Sequence, residues 1–63
     1  MADKRIERQV LRVLSTGPKT FWEIVNRQDG TLKELYQTLN KLMNENTVKR
    51  DGEFFYLNGQ AAL

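Results

Sequence analysis

The stretch VKRDGEFFYL, Val48 to Leu57, decides the fold of this chain. Upstream of it the apolar residues recur at helical spacing. Within it, short apolar runs flank Asp51-Gly52, a pair that strongly signals a two-residue β-hairpin turn of type I′. With those two residues at the tip, Arg50 faces Glu53, Lys49 faces Phe54, Val48 faces Phe55 and Thr47 faces Tyr56. Side chains alternate between the two faces of a strand. One face of the hairpin then carries Val48, Phe55 and Leu57, and the other carries Lys49, Phe54 and Tyr56. An isolated hairpin is marginal in water, so the first face has to close on the helices.

Just before the hairpin, Thr31 and Glu34 form a capping box, in which each side chain satisfies the other residue's backbone N–H. It starts a helix predicted over about 32–45. Leu32, Leu35, Leu39 and Leu42 form its apolar stripe, with Tyr36 and Met43 on the flank. Lys33, Gln37, Asn40, Lys41 and Asn44 lie opposite. Asn46 is the expected C′ residue, because Asn tolerates the left-handed conformation. Asp29-Gly30 separates this helix from a shorter one, about 21–28, opened by a second capping box at Thr20 and Glu23. Phe21, Ile24 and Val25 point inward from it, and Trp22 sits on the flank beside them, partly buried against helix 3 or the first strand. Two turns are not stable alone, so this helix must be docked. Lys19-Thr20 is placed for a very short third strand.

The first helix is predicted over about 3–16. Ile6, Val10, Val13 and Leu14 fall on one face, and Gly17-Pro18 stops it. Leu11 lies off this stripe, which fits either a helix covered on two sides or a dimer contact. The tail, 58–63, is small-residue and weakly patterned, and Leu63 is free either to fray or to fold back.

The chain has 63 residues and a net charge of +2, with neither Cys nor His. So short a chain is one domain, 1–63, and buries only about 60% of its unfolded surface. Lacking Cys and His, it has no disulfide, none of the usual zinc ligand sets, and no Cys-His or Ser-His nucleophile. No paired acidic motif stands out either. The expectation is no enzyme, no metal and no cofactor. No apolar run approaches the roughly 20 residues of a membrane helix, and the first residues lack a signal peptide's apolar stretch. The reading is a soluble, cytoplasmic protein with no membrane partner. Lys4, Arg5, Arg8 and Arg12 against Asp3 and Glu7 give residues 1–16 a net charge of +2, while residues 17–63 balance to zero. The whole basic excess therefore sits on helix 1.

Helix, short extended piece, two-turn helix, Gly-containing turn, longer helix, hairpin: this order resembles the winged helix-turn-helix family over residues 6–57. The segment LNKLMNENTVKR is similar to the end of that family's reading helix and the start of its wing. The resemblance implies a mainly α fold of three helices with a small antiparallel β hairpin. It further implies that helix 3 enters the major groove of double-stranded DNA while the wing touches the backbone or minor groove. Residue by residue, Lys33, Gln37 and Lys41 match the outward face of the reading helix. Gln37 would pair with an adenine edge, and Lys33 or Lys41 with a guanine or a phosphate. Thr31 would donate to a phosphate through its hydroxyl or backbone N–H, and Lys49 and Arg50 match the wing. Asp29-Gly30-Thr31 replaces the family's Gly-apolar-Ser turn, and Leu32 stands where a polar contact residue is common. Lys33 and Lys41 are balanced by Glu34 and Glu45, so helix 3 is neutral. Phosphate neutralisation supplies much of DNA affinity, and a neutral helix implies a homodimer or a larger complex.

Arg8 and Arg12, with Lys4 and Arg5, form a basic stripe that is either a solvated face or a contact for phosphate or acidic protein. Trp22 is either partly buried or a partner contact. Phe54 and Tyr56 are either covered by helix 1 or the tail, or join Lys49 in a recognition surface. These residues, Arg8, Arg12, Trp22, Phe54 and Tyr56, are the expected partner surface. The leading expectation is a small transcription-regulator-like DNA-binding module. The alternative is a winged-helix protein-protein interaction module within a larger assembly.

Overall fold

A computed structural model describes residues 4–59. The elements run α1 (Lys4–Leu14), β1 (Lys19–Thr20), α2 (Phe21–Val25), α3 (Leu32–Asn44), β2 (Val48–Asp51) and β3 (Phe54–Leu57). The strands form one antiparallel sheet in the order β1-β3-β2. The architecture is therefore mixed α/β, with three helices and three strands. It is compatible with the expected order of elements, and the Lys19-Thr20 strand is present.

One cluster forms the core. α1 contributes Ile6, Val10, Val13 and Leu14, α2 contributes Ile24, and α3 contributes Leu35, Leu39 and Leu42. Val48 and Phe55 of the hairpin close it, and Leu11, Phe21, Val25, Met43 and Leu57 pack partly buried around it. Leu11 is thus half-buried against this core.

α1 ends two residues earlier than expected. Ser15 Oγ donates to the Arg12 carbonyl at 2.6 Å and Thr16 Oγ1 to the Val13 carbonyl at 3.0 Å, so hydroxyls satisfy the last-turn acceptors as the chain leaves the helix. Gly17 then adopts φ +132°. The expected helical start at Asp3 lies outside the described residues, as do the tail positions 60–63. α2 stops at Val25 rather than Gln28. Arg27 N–H closes a tighter bond to the Ile24 carbonyl at 3.0 Å. The Gln28 side-chain amide turns back on the loop, accepting from Gly30 N–H at 2.6 Å and donating to the Gly30 carbonyl at 2.9 Å.

Both capping boxes form. Thr20 N–H donates to Glu23 Oε1 at 3.0 Å and Glu23 N–H to Thr20 Oγ1 at 3.3 Å. The corresponding distances at Thr31 and Glu34 are 2.8 and 3.1 Å. α3 ends as Asn46 predicts: Asn46 has φ +62°. Asn46 N–H reaches the Met43 carbonyl at 3.0 Å and Thr47 N–H the Leu42 carbonyl at 2.9 Å. That pair of bonds is a complete Schellman motif, and it turns the chain directly into β2.

The hairpin exists, but its register differs from the one expected. The pairs are Val48 with Leu57, Lys49 with Tyr56, Arg50 with Phe55 and Asp51 with Phe54. Gly52-Glu53, not Asp51-Gly52, is the two-residue loop. Gly52 takes φ +60°, whereas Asp51 and Glu53 are not at positive φ. This is the type II′ pattern, which needs glycine only at its first central position. The type I′ alternative would hold Asp51 left-handed. Sliding the turn also moves Val48 from Phe55 to Leu57 and sets Arg50 opposite Phe55. The displacement is two residues, an even number, so the faces expected from the sequence survive it. Val48 and Phe55 are buried on one face, while Lys49, Phe54 and Tyr56 are half-buried on the other.

Gly30 is glycine for space rather than for its dihedral angle. A Cβ there would lie 2.7 Å from Ile6 Cδ1 and 2.8 Å from Gln28 Oε1. Ile6 is fully buried, so it has no room to give way. Gly30→Ala is expected to destabilise the fold by roughly 1–3 kcal/mol, as overpacking does, which urea unfolding would measure. Asn46→Gly, which suits its φ, should leave stability within about 1 kcal/mol.

Candidate nucleic-acid interface

α3 presents its outward side because its opposite side is filled. Leu35, Leu39 and Leu42 are buried, and at 100° per residue this leaves Lys33, Tyr36, Gln37, Asn40 and Asn44 exposed. Leu32 joins them. It is 52% exposed, so the expected four-leucine core stripe has three members. Leu32 lies four residues from Tyr36, on the same side of the helix, and Tyr36 is 62% exposed.

Trp22 was expected to be partly buried and is 65% exposed. In a five-residue helix, Phe21, Ile24 and Val25 take the inward positions. Trp22 is left standing outward, with its ring edge-on to Phe21 at 5.5 Å. Trp22, Tyr36, Phe21 and Phe55 line an open depression together with Arg50 and Glu53. The hairpin thus reaches the flank of α3, and an aromatic surface joins them.

The cations expected at the site stand in three different situations. Lys33 is exposed and makes no ion pair among the described residues. Lys41 turns toward α1, where its Nζ lies 3.1 Å from Glu7 and 3.7 Å from Glu45 of its own helix. Lys49 donates to Asn46 Oδ1 at 3.3 Å. Arg50 is the most constrained: its Nε donates to the Gly52 carbonyl at 2.8 Å and its guanidinium lies 5.9 Å from the Phe55 ring centroid. That arrangement fixes the guanidinium at the turn while leaving the residue exposed.

Thr31 is committed to its capping box. Its N–H is taken by the Glu34 carboxylate and its hydroxyl oxygen accepts from Glu34 N–H, so only the hydroxyl proton remains to donate outward. Phe54 and Tyr56 are half-buried, and Arg8 and Arg12 are exposed on α1.

Sequence reasoning missed two tertiary links. Gln9 grips the loop before α3, donating to Asp29 Oδ2 and accepting from Asp29 N–H, both at 2.9 Å. Glu7 holds Lys41 across 34 residues of chain. Neither has a local sequence signature. Trp22 did have one, since it sits 100° from Phe21 and away from Ile24 on a helical wheel. No protein-family model, curated protein or solved structure matches this chain.

Two carboxylate–ammonium or capping contacts leave titration signatures. The Lys41 ammonium is held above its ordinary value, chiefly by its hydrogen bond to Glu7. The Glu23 carboxyl is held below its ordinary value, first by the Thr20 N–H and then by the Thr20 hydroxyl. A lowered carboxyl stabilises the fold above its unfolded value and loses that contribution as pH falls through the folded one. Glu23→Gln should therefore be less stable than the parent near neutral pH. The gap should narrow as acid protonates Glu23, which urea unfolding across an acid pH series would detect. Lys41 has the opposite sign: its contribution is complete below its unfolded value and disappears as pH rises through the raised one.

Proposed function

We propose that this chain is a small double-stranded-DNA-binding module of the winged helix-turn-helix kind, with α3 in the major groove and the β2–β3 hairpin as the wing. The observation that carries this reading is the outward face of α3. Lys33, Gln37 and Asn40 are exposed there on a helix whose position is fixed by its core leucines. Their side chains offer the donors and acceptors that major-groove base edges call for. Lys49 and Arg50 flank that face from the wing, where a positioned cation meets the sugar-phosphate backbone. On this reading the module has a transcription-regulator-like role. With few phosphates neutralised per chain, the module works as a homodimer or within a larger complex.

One observation favours a second reading. Trp22, Leu32 and Tyr36 are the large hydrophobic residues exposed among the described ones, and they lie on one side of the molecule around α2 and α3. Aromatic residues of this kind anchor protein interfaces. On this reading the same fold is a protein-protein interaction module within a larger assembly.

Titration with duplex DNA at two salt concentrations separates the two. The first reading expects affinity to fall steeply with salt. Lys33→Ala should reduce the logarithmic salt slope by about 0.9, the value for one phosphate contact. Gln37→Ala should lower the preference for the best site by about 1–3 kcal/mol, the range for one base contact. Absence of duplex binding even at low salt would overturn it. Under the second reading, Trp22→Ser abolishes capture of a specific protein partner and the single tryptophan changes emission when that partner, not DNA, is added.

A further inference from the structure

The basic stripe on α1 has no part in the interface described so far. Lys4, Arg8 and Arg12 recur every four residues and are all exposed, so they form one row along the helix. The structure shows where that row lies. Lys4, Glu7, Arg8, Leu11 and Lys41 line a single shallow depression between α1 and α3. Lys41 is four residues after Gln37 and so lies beside it on α3. The basic row of α1 therefore borders the outward face of α3, on the edge defined by Lys41.

Glu7 is the acid lining this depression, and it is already paired. Lys41 Nζ sits 3.1 Å from its carboxylate, whose side chain is 22% exposed. Lys41 also lies 3.7 Å from Glu45 of its own helix, so its one charge serves two acids. Glu7 holds the shorter contact, and Lys4 and Arg8 therefore face solvent beside a paired rather than a bare carboxylate. The spacing suits a nucleic-acid backbone. Packed helices lie about 8–10 Å apart, and the major groove is about 12 Å wide. These two lengths are comparable, so a row on the edge of α1 nearest Lys41 is within reach of the phosphates that wall a groove filled by α3.

We propose that Lys4 and Arg8 bind backbone phosphates of the DNA strand flanking α3. Lys41 acts as a positioning residue that pairs with Glu7. This gives the module a second, non-specific wall opposite the wing and assigns a use to the basic excess of the N-terminal segment. The inference rests on the DNA-binding reading above.

The test is duplex DNA titration between about 50 and 200 mM salt with the full chain, Lys4→Gln/Arg8→Gln, and Glu7→Gln. Circular dichroism and urea unfolding confirm that each is folded. Two lost phosphate contacts reduce the logarithmic salt slope by about 1.8. The double variant should therefore lose roughly ten-fold less affinity than the parent across that range. Its ratio of preferred to scrambled site should be unchanged, because phosphate contacts position rather than specify. Glu7→Gln removes the carboxylate beside Lys4 and Arg8 while Lys41 keeps Glu45, and it should bind several-fold more tightly at low salt, a gain that a purely structural role for the pair would not give. A parent that binds DNA with steep salt dependence, alongside a double variant of equal slope, overturns this inference and leaves the DNA reading intact. A parent that binds no duplex at low salt overturns both.

Discussion

Ile6, Val10, Val13 and Leu14 form one stripe along α1, and no single element of the chain is large enough to cover it. Leu35, Leu39 and Leu42 of α3 take one side, Ile24 of the five-residue α2 adds to it, and Val48 with Phe55 closes the remaining gap. A chain of this size has no second core to fall back on. The hairpin is therefore structural before it is anything else. Removing it would expose α1 and α3 together, and leaving it unpaired would be unstable in its own right. β3 sits in the centre of the sheet, hydrogen-bonded on both edges, which ties the hairpin to the segment between α1 and α2.

The position of α3 follows from how tightly its two ends are held. At the start, Gly30 lies against Ile6 with no space for a methyl group. Gln9 and Gln28 secure the preceding loop through paired amide bonds. At the finish, Asn46 completes the Schellman turn and delivers the chain into β2. A helix fixed at both ends can offer its outward side chains to a partner with little entropy lost on contact. The same rigidity places the hairpin and α1 along its two flanks, one carrying Lys49 and Arg50 and the other the Lys4–Arg8 row.

Much of the local structure was legible in the sequence because its causes are local. The capping boxes at Thr20 and Thr31 need only residues three apart. Asn46 needs only its own tolerance of positive φ. The face assignment of the hairpin held even though its turn slid by one residue on each strand, because a two-residue register shift preserves alternation. The turn itself was misread because Asp51-Gly52 satisfies a dipeptide rule, whereas the choice between turns depends on whether Val48 meets Leu57 or Phe55. α2 was overextended because nothing in its sequence shows that Gln28 bonds to the loop rather than continuing the helix.

The surface was harder to read than the core. Spacing alone put Leu32 with Leu35, Leu39 and Leu42, yet it lies to one side of them and shares its side with Tyr36. Lys41 looked like a member of the outward polar face, but Glu7 draws it to α1. The sequence by itself determined the helices, their caps, the hairpin and the apolar residues that meet in the core, since these depend on periodicity and on backbone preferences of single residues. Tertiary structure alone decided the strand register, the exposure of Leu32, and the pairing of Lys41 with Glu7. Each of those depends on which distant segment occupies the neighbouring space, and contacts such as Glu7 with Lys41, 34 residues apart, leave no periodic trace in the chain.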